Sequence, residues 1–262
     1  MMLSLPHWPT KWSRAARSNA TIVVASCVLL AALWLLAIPL SWAPDPIGPA
    51  AQDFADGTWI TMELTLVSGV AGLIIGLLAA LGKTSRVPPV RWLAGLFIWI
   101  IRGTPLLVQV LFVYFALPVL APSLRLSDFT SACIALALNV GAYNAEAIRA
   151  GLQAVPKGQH EAARSLGLSG WQTFLDIIFP QAMKISLPSL VNNFVSLLKD
   201  SSLAYAIGVV ELTNVGNRIQ AATFEPIPTL VTTASIYLVM TTLLTRISDA
   251  VEHRYDVEGR RS

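Results

Sequence analysis

The sequence predicts an all-α membrane protein with six transmembrane helices. Of its 262 residues, 55% are apolar by type and only 13% are charged, whereas a soluble globular domain carries about 25% charged residues. The mean hydropathy is +0.63, and apolar runs of the roughly 20 residues needed to cross a bilayer recur along the chain. This composition excludes a soluble enzyme, a secreted disulfide scaffold and a nucleic-acid module.

The first apolar run, residues 21–42, follows a tail that carries Lys11, Arg14 and Arg17. A cleaved signal peptide is one interpretation, because Ser41-Trp42-Ala43 resembles a small-residue cleavage site. The run is longer than the roughly 7–15 apolar residues of such peptides, so we favour an uncleaved transmembrane anchor. The tail, residues 1–20, is then expected to lie in the cytoplasm.

Five further apolar runs complete the six spans: residues 59–81, 103–120, 129–148, 188–210 and 227–245. Residues 92–101 are apolar too, but joined to the third span they would make one helix of 29 residues. Such a helix would be about 43 Å long, whereas the hydrocarbon core is about 30 Å thick. We therefore expect this extra length to project into the cytoplasm or to lie along the membrane interface.

Basic residues predict the orientation of these spans. With the amino terminus inside, 14 basic residues fall on the cytoplasmic side, and only Arg125 and Arg218 fall outside. This asymmetry follows the positive-inside rule, and it places both termini and the longest loop, residues 150–187, in the cytoplasm. Removal of the first span would leave the orientation of the others unchanged. The 14 residues are Lys11, Arg14, Arg17, Lys83, Arg86, Arg91, Arg149, Lys157, Arg164, Lys184, Arg246, Arg254, Arg260 and Arg261.

The fifth span carries polar residues whose spacing puts them on one helical face: Ser189, Asn192, Asn193, Ser196, Lys199 and Asp200. Polar and charged groups are costly inside a membrane, so such a face normally looks into a bundle or a hydrated path. Two interpretations stay open, a translocation path and a structural polar cluster that fixes the bundle. The adjacent Lys199 and Asp200 point in different directions, so each is expected to have another partner. The following Ser201-Ser202 is expected to break the helix.

The fourth span repeats this pattern with Asn139, Tyr143 and Glu146 on one face. Glu146 could also pair with Arg149 three residues on, a purely structural role. In the third span, Arg102 precedes Pro105 at the start of the helix, and Gln109 lies inside it.

Small residues in the second span include Gly69 and the spaced pair Gly72 and Gly76. This spacing lets another helix approach closely, either in a second subunit or within the same subunit. Cys27 and Cys133 are predicted near opposite membrane faces, so no disulfide is expected between them.

No catalytic or metal site is indicated. His7, His160 and His253 are scattered and lack neighbours at metal-ligand spacing. The sequence also lacks a glycine-rich phosphate loop ending in Gly-Lys-Ser/Thr, so the chain is not expected to hydrolyse a nucleotide by that route.

Residues 158–180, which we name the cytoplasmic knob, are the most informative stretch. Residues 157–166 have helical composition and stop at Gly167, a natural position for a left-handed cap. Ser169 and Gln172 form a capping-box pattern, and a second helix over residues 170–179 is expected to end at Pro180. A DNA-binding helix-turn-helix has a similar outline, but this loop lies between two spans and is poor in arginine.

Within the knob, Glu161-Ala162-Ala163, three residues, Gly167, nine residues, Ile177, one residue and Phe179-Pro180 resemble the Glu-Ala-Ala loop of binding-protein-dependent ABC importer permeases. That family usually has leucine where this chain has Phe179. Further stretches, which together extend the resemblance from residue 57 to the carboxyl terminus, are similar to the polar amino acid permeases: Arg102-Gly-Thr-Pro-Leu-Leu-Val-Gln109, Ala142-Tyr143-Asn-Ala-Glu146 with Arg149, Val155-Pro-Lys-Gly-Gln159 and Leu198-Lys-Asp-Ser-Ser-Leu203.

The resemblance implies a type I ABC importer permease core of five spans, residues 57–250, in a bacterial inner membrane. Residues 21–42 are then an extra amino-terminal anchor and residues 251–262 a cytoplasmic tail. The implied partners are a second permease subunit, identical or related, two ATPase subunits that use ATP and magnesium, and an external solute-binding protein that delivers an amino acid. The chain itself is expected to be neither an enzyme nor a cofactor-binding or nucleic-acid-binding protein.

The resemblance also implies roles for single residues. Glu161, Ala162, Ala163 and Gly167 would contact the ATPase, and closure of the ATPases would rock the bundle between two states. The residues expected along the translocation path are Arg102, Gln109, Asn139, Tyr143, Glu146, Asn192, Ser196, Lys199, Asp200 and Ser202.

The rival class is a secondary transporter or channel that works without ATP. It would need its own coupling-ion site, usually built from repeats and broken helices, and no internal repeat is detectable. A membrane protein for assembly or sensing is a third class. Copurification of an ATPase with the chain would distinguish the importer from both.

Overall fold

The computed structural model describes residues 14–122 and 125–255, which form helices without a strand among them. Two π-helical turns, Phe112–Ala116 and Thr173–Ile178, join their neighbouring α-helices without a break, and a 3₁₀ helix, Ser201–Ile207, directly follows Asp200. In chain order the α-helices are α1 (Arg14–Leu35), α2 (Ala37–Ser41), α3 (Ala51–Thr84), α4 (Pro88–Gly103), α5 (Leu106–Leu111), α6 (Leu117–Leu120), α7 (Asp128–Ala154), α8 (Lys157–Ser165), α9 (Gly170–Gln172), α10 (Phe179–Asp200), α11 (Leu212–Thr223) and α12 (Pro226–Tyr255).

Helices α3 and α7 pack against each other at the centre of the bundle. Their contact depends on small residues: a Cβ atom at Gly72 would overlap Val140, and one at Gly76 would lie 2.6 Å from the Cβ of Asn144. A Cβ at Gly69 would overlap Phe194 of α10. The glycine pattern of α3 therefore serves packing within the subunit, and the interpretation as a contact between subunits is wrong for this face.

Four helical stretches are long and apolar enough to cross a membrane: Ser18–Ser41, Ala51–Thr84, Gly170–Ile207 and Pro226–Glu252. Pro88–Gly103 and Leu106–Leu120 would add a fifth if the bent pair is counted as one span. Helix α7 has 27 residues, but its polar residues lower its hydropathy. The chain thus spans the membrane several times, whereas the count of six remains a prediction.

The extra apolar length before the third span forms a helix of its own. The helix direction changes by 111° between Pro88–Gly103 and Leu106–Leu120. Thr104, between them, has an extended conformation with φ −120° and ψ 147°. Pro105 explains the bend, because a proline disfavours helical backbone in the residue before it. The two helices are therefore not one continuous helix of 29 residues.

The prediction that a helix ends at Pro180 is wrong. Helix α9, the π-helical turn Thr173–Ile178 and α10 form one uninterrupted helix that passes Pro180 and contains Pro188. In the π-helical turn the Phe179 N–H bonds to the Phe174 carbonyl five residues back. This wider turn relieves the clash that a proline ring makes with the preceding turn of a regular helix. At Ser201 the α-helix gives way to a 3₁₀ helix that continues directly from it, so the expected break is a change of helix type and not an interruption.

The amino-terminal helix α1 lies against α12, the last helix of the chain. Leu29 and Leu33 pack into a cluster with Ile236 and Met240, while Val23 and Leu30 on the other side of α1 are exposed. Both cysteines are free, as predicted: Cys27 is exposed on α1 and Cys133 is buried on α7.

Candidate functional site

The cytoplasmic knob has a rigid turn at its tip. Gly167 adopts φ +77° just after α8, and its N–H donates to the Arg164 carbonyl at 2.9 Å. The Leu168 N–H donates to the Ala163 carbonyl at 3.1 Å. This pair of bonds is the Schellman arrangement that ends a helix at a left-handed residue. The predicted left-handed cap at Gly167 is confirmed.

A capping box starts the next helix immediately after this turn. The Ser169 hydroxyl accepts from the Gln172 N–H at 3.3 Å, and the Gln172 side-chain oxygen accepts from the Ser169 N–H at 3.0 Å. The predicted capping box is therefore confirmed. Both helix ends at this turn are therefore satisfied by hydrogen bonds within the knob.

The outer surface of the knob combines charge with exposed apolar side chains. Glu161 and Ala162 are exposed, whereas Ala163 is buried. Leu166 is 80% exposed and Trp171 is 69% exposed. Exposed apolar residues beside polar ones are typical of protein-interaction surfaces. The sequence analysis did not single out Leu166 or Trp171, although their places beside the predicted turn are a signal for such a surface.

The polar face of α10 is narrower than predicted. Ser189, Asn192, Ser196 and Lys199 are exposed along one side of the helix. Asn193 is turned away from this face, because its side-chain amide donates to the side-chain oxygen of Asn144 on α7 at 2.9 Å. Its inclusion in the face is therefore wrong.

Asp200 and Ser202 lie at the end of α10 and are half-buried. Within residues 14–122 and 125–255, neither Lys199 nor Asp200 forms an ion pair. The separate partners expected for these two residues are thus not found there.

Two of the predicted path residues brace the bend between α4 and α5. The Gln109 amide donates to the Ile101 carbonyl at 2.7 Å and to the Thr104 hydroxyl at 2.9 Å. Its side-chain oxygen accepts from Asn139 of α7 at 3.0 Å. This network holds the bend against α7, so Gln109 and Asn139 have a structural role whether or not they contact a transported molecule.

Arg102, near the end of α4, lies beside Tyr143 of α7. The Arg102 guanidinium carbon lies 5.3 Å from the centre of the Tyr143 ring, a cation–π distance. Glu146 forms an ion pair with Arg149 at 2.6 Å, which confirms the structural pairing considered for Glu146.

Sequence analysis missed Glu211, a carboxylate with no exposed surface between the 3₁₀ helix and α11. Glu211 follows the turn residue Gly208 and comes directly before Leu-Thr-Asn, which places it where a helix could start. This N-cap position was the signal available in the sequence. No group of three or more His, Cys, Asp or Glu side chains in the described part of the chain could hold a metal ion.

The exposed side of α10 leads to a direct test of the path. We expect cysteine at Asn192 or Ser196 to react with a small water-soluble thiol reagent, at a rate that substrate or ATP changes. Cysteine at Phe194 or Val195 should stay unreactive, because Phe194 packs over Gly69 and Val195 lies against the apolar core. The measurement uses a chain without Cys27 and Cys133. Equal reactivity on both sides would contradict a path along α10.

This chain is similar to a family of membrane transport proteins and to several named relatives. The family described as "Binding-protein-dependent transport system inner membrane component" matches residues 72–257. The L-cystine transport system permease protein TcyB of Bacillus subtilis (strain 168) is 41% identical over 201 residues, which are 76% of this chain and 85% of that protein. The glutamine transport system permease protein GlnP of Escherichia coli (strain K12) is 38% identical over 211 residues, which are 80% and 96%. The arginine transport system permease protein ArtQ of Bacillus subtilis (strain 168) is 38% identical over 206 residues, which are 79% and 94%.

Solved structures show the same fold. A crystal structure of an amino acid ABC transporter with histidines matches with a TM-score of 0.74 and 39% identity, over 79% of this chain and 95% of that one. An inward-facing structure of the MetNI methionine ABC transporter matches with a TM-score of 0.67 and 17% identity, over 79% and 98%. The second likeness concerns the fold alone.

Proposed function

Because the chain belongs to the family of binding-protein-dependent transport system inner membrane components, we propose that it is the permease subunit of an ATP-driven importer of a polar amino acid or a close analogue. The observation that carries this proposal is the cytoplasmic knob. It is capped at both sides of its turn, and it exposes Glu161, Leu166 and Trp171 together. A rigid, exposed surface of mixed polarity suits a groove on a partner subunit.

The proposed assembly contains a second permease subunit, two ATPase subunits and an external solute-binding protein. ATP and magnesium are used by the ATPase subunits, and this chain holds no cofactor of its own. Nucleotide-driven closure of the ATPases pulls or pushes the knob. Because α9 and the π-helical turn continue directly into α10, a displacement of the knob is passed along one helix to the polar face and to Asp200.

The proposed path runs along the exposed polar side of α10. Asn192, Ser196 and Lys199 offer hydrogen-bond donors and acceptors at successive turns, and Asp200 adds a carboxylate at the helix end. Arg102 and Tyr143 present a second polar surface. Groups of both charges suit an amino acid, which carries an ammonium and a carboxylate. The named relatives transport cystine, glutamine and arginine, so these three are the first substrates to try.

One experiment tests the proposed function. The complex is purified with its neighbouring subunits, reconstituted in liposomes with the loaded binding protein, and supplied with ATP. ATP-dependent uptake of one member of an amino acid panel is expected. Uptake without ATP, or the absence of any ATPase subunit from the purified chain, would overturn the proposal.

The proposed orientation puts both termini and the knob in the cytoplasm. We expect reporter fusions after Arg17, Lys83, Gly158 and Arg254 to report a cytoplasmic location, since basic residues concentrate on that side. Fusions after Asp53 and Asn217 should report an external location. An external signal at Gly158 would contradict any contact between the knob and an ATPase.

A further inference from the structure

Glu211 is a buried carboxylate that begins α11. Its side chain has no exposed surface. One carboxylate oxygen accepts from the Asn214 N–H at 2.9 Å and the other from the Thr213 N–H at 2.9 Å. Glu211 therefore caps α11, where the positive end of the helix dipole favours a negative charge.

Two other helices reach the same carboxylate. The Tyr237 hydroxyl of α12 donates to it at 3.0 Å and also lies 3.1 Å from the Thr213 hydroxyl. Thr61 of α3 lies 3.5 Å from the carboxylate, and its hydroxyl accepts from the Leu212 N–H at 3.1 Å. Helices α3, α11 and α12 thus meet at a single buried group, which we name the Glu211 clamp: Glu211, Thr61, Thr213 and Tyr237.

The clamp has no compensating cation among the described residues. Burial raises the pKa of Glu211 above its usual value, while the hydrogen bonds from Thr213, Asn214 and Tyr237 oppose that rise. A buried carboxylate is costly unless donors surround it. The hydroxyls of Thr61 and Tyr237 and the N–H groups at the start of α11 therefore hold the three helices in a fixed arrangement, since separating the helices would leave the carboxylate with fewer partners.

The packing around the clamp is correspondingly close. A Cβ at Gly57 of α3 would lie 3.2 Å from the Leu212 Cα of α11. A Cβ at Gly216 of α11 would lie 2.5 Å from the Oγ1 of Thr233 on α12 and 3.6 Å from its Cβ. Glycine at both positions lets α11 sit between α3 and α12.

Helices α3 and α11 both contact the 3₁₀ helix Ser201–Ile207. We propose that Glu211 is a positioning residue for transport: the Glu211 clamp fastens α11 to α3 and α12 as one rigid unit, and through these contacts the unit holds the 3₁₀ helix in place behind Asp200. The inference rests on the proposed function, because Asp200 and Ser202 belong to the proposed path. Glu211 itself touches no transported molecule, since it is completely buried.

The first test replaces members of the clamp in the reconstituted complex. Glu211→Ala is expected to lower uptake per assembled complex by about tenfold, because two backbone N–H groups and a hydroxyl lose their acceptor. Glu211→Gln keeps one acceptor oxygen and the side-chain shape, so it should restore part of the rate. Tyr237→Phe removes one donor to the carboxylate and leaves the two backbone donors in place, so it should lower the rate less than Glu211→Ala. This variant keeps the test available if the alanine variant does not assemble.

The second test joins α11 to α12 covalently. The Cβ separation of 3.6 Å between positions 216 and 233 lies in the range that a disulfide requires. Replacing Thr233 with cysteine also removes the Oγ1 atom that a Cβ at position 216 would meet. The pair Gly216→Cys and Thr233→Cys is introduced in a chain whose Cys27 and Cys133 are alanine. Oxidation should leave uptake intact, because the two helices need not separate, and in the Glu211→Ala background it should restore uptake.

The outcomes separate the two proposals. Wild-type complex without ATP-dependent uptake would overturn the proposed function. With wild-type uptake present, the clamp is overturned if Glu211→Ala transports at the wild-type rate, or if oxidation of the cysteine pair stops uptake and a reductant restores it. Rescue of Glu211→Ala by the disulfide supports a positioning role, because a cross-link cannot replace a group that binds substrate.

Discussion

Replacing Gly72 with valine is expected to remove most correctly folded protein from the membrane. A Cβ at this position overlaps Val140 and lies 3.0 Å from the Ala137 carbonyl oxygen and 3.3 Å from the Gly141 nitrogen. The latter two atoms belong to the backbone of α7, so they cannot move aside without displacing the helix. Overpacking a core typically lowers the free energy of unfolding by about 1–3 kcal/mol. A clash with backbone atoms is expected at the upper end of this range. The yield of monodisperse protein and its thermal stability in detergent measure the effect.

Val70 on the same helix provides the control. It is 63% exposed on the other side of α3, so Val70→Ile adds the same kind of bulk without meeting α7. This variant should assemble and melt as the wild type does. If Gly72→Val and Val70→Ile were equally stable, the contact between α3 and α7 would not be the tight core of the bundle.

Local sequence signals were sufficient for several features. The cap at Gly167, the capping box of Ser169 and Gln172, and the ion pair of Glu146 and Arg149 each depend on residues within five positions of one another. The family predicted from the Glu-Ala-Ala pattern is also confirmed. Such features follow from propensity and spacing, which a single sequence contains.

Features that depend on distant partners, or on a local turn with no sequence signature, were missed or wrong. Pro180 does not end its helix, because a π-helical turn precedes it, and no residue pattern announced that turn. Asn193 leaves the polar face because its partner, Asn144, is 49 residues away in the chain. Glu211 could not be recognised as a buried cap from the sequence, because it is a single acidic residue whose partners Thr61 and Tyr237 belong to two other helices. Whether the predicted path residues serve transport awaits the thiol-reactivity experiment.

The knob is where fold and function should separate most clearly. Gly167→Val is expected to insert and assemble in the membrane but to lose most transport. Its Cβ would meet no atom within 4 Å, so no clash arises, and the strain comes from φ +77° alone. A residue other than glycine enters this conformation at a cost of about 1 kcal/mol or more. That strain is enough to loosen the turn between α8 and α9 while the spans stay packed. Gly158→Ala is the control. A Cβ at Gly158 also meets no atom within 4 Å, but this residue has no positive φ.

Glu161→Lys should give the same separation by a different route, because it reverses the charge of an exposed side chain without touching the core. Glu161→Gln keeps the shape of the side chain and removes only its charge, so it should lower transport less than Glu161→Lys. In both severe variants the ATPase subunits should bind weakly, or hydrolyse ATP without responding to the loaded binding protein. Uptake and stimulated ATP hydrolysis in liposomes, normalised to assembled complex, give the measurement. If Gly167→Val and Glu161→Lys both transport at the wild-type rate with normal stimulation, the knob does not couple ATP hydrolysis to transport. If Gly158→Ala also lost transport, any change in α8 would disturb the chain. The specific role of Glu161 and Gly167 would then be contradicted.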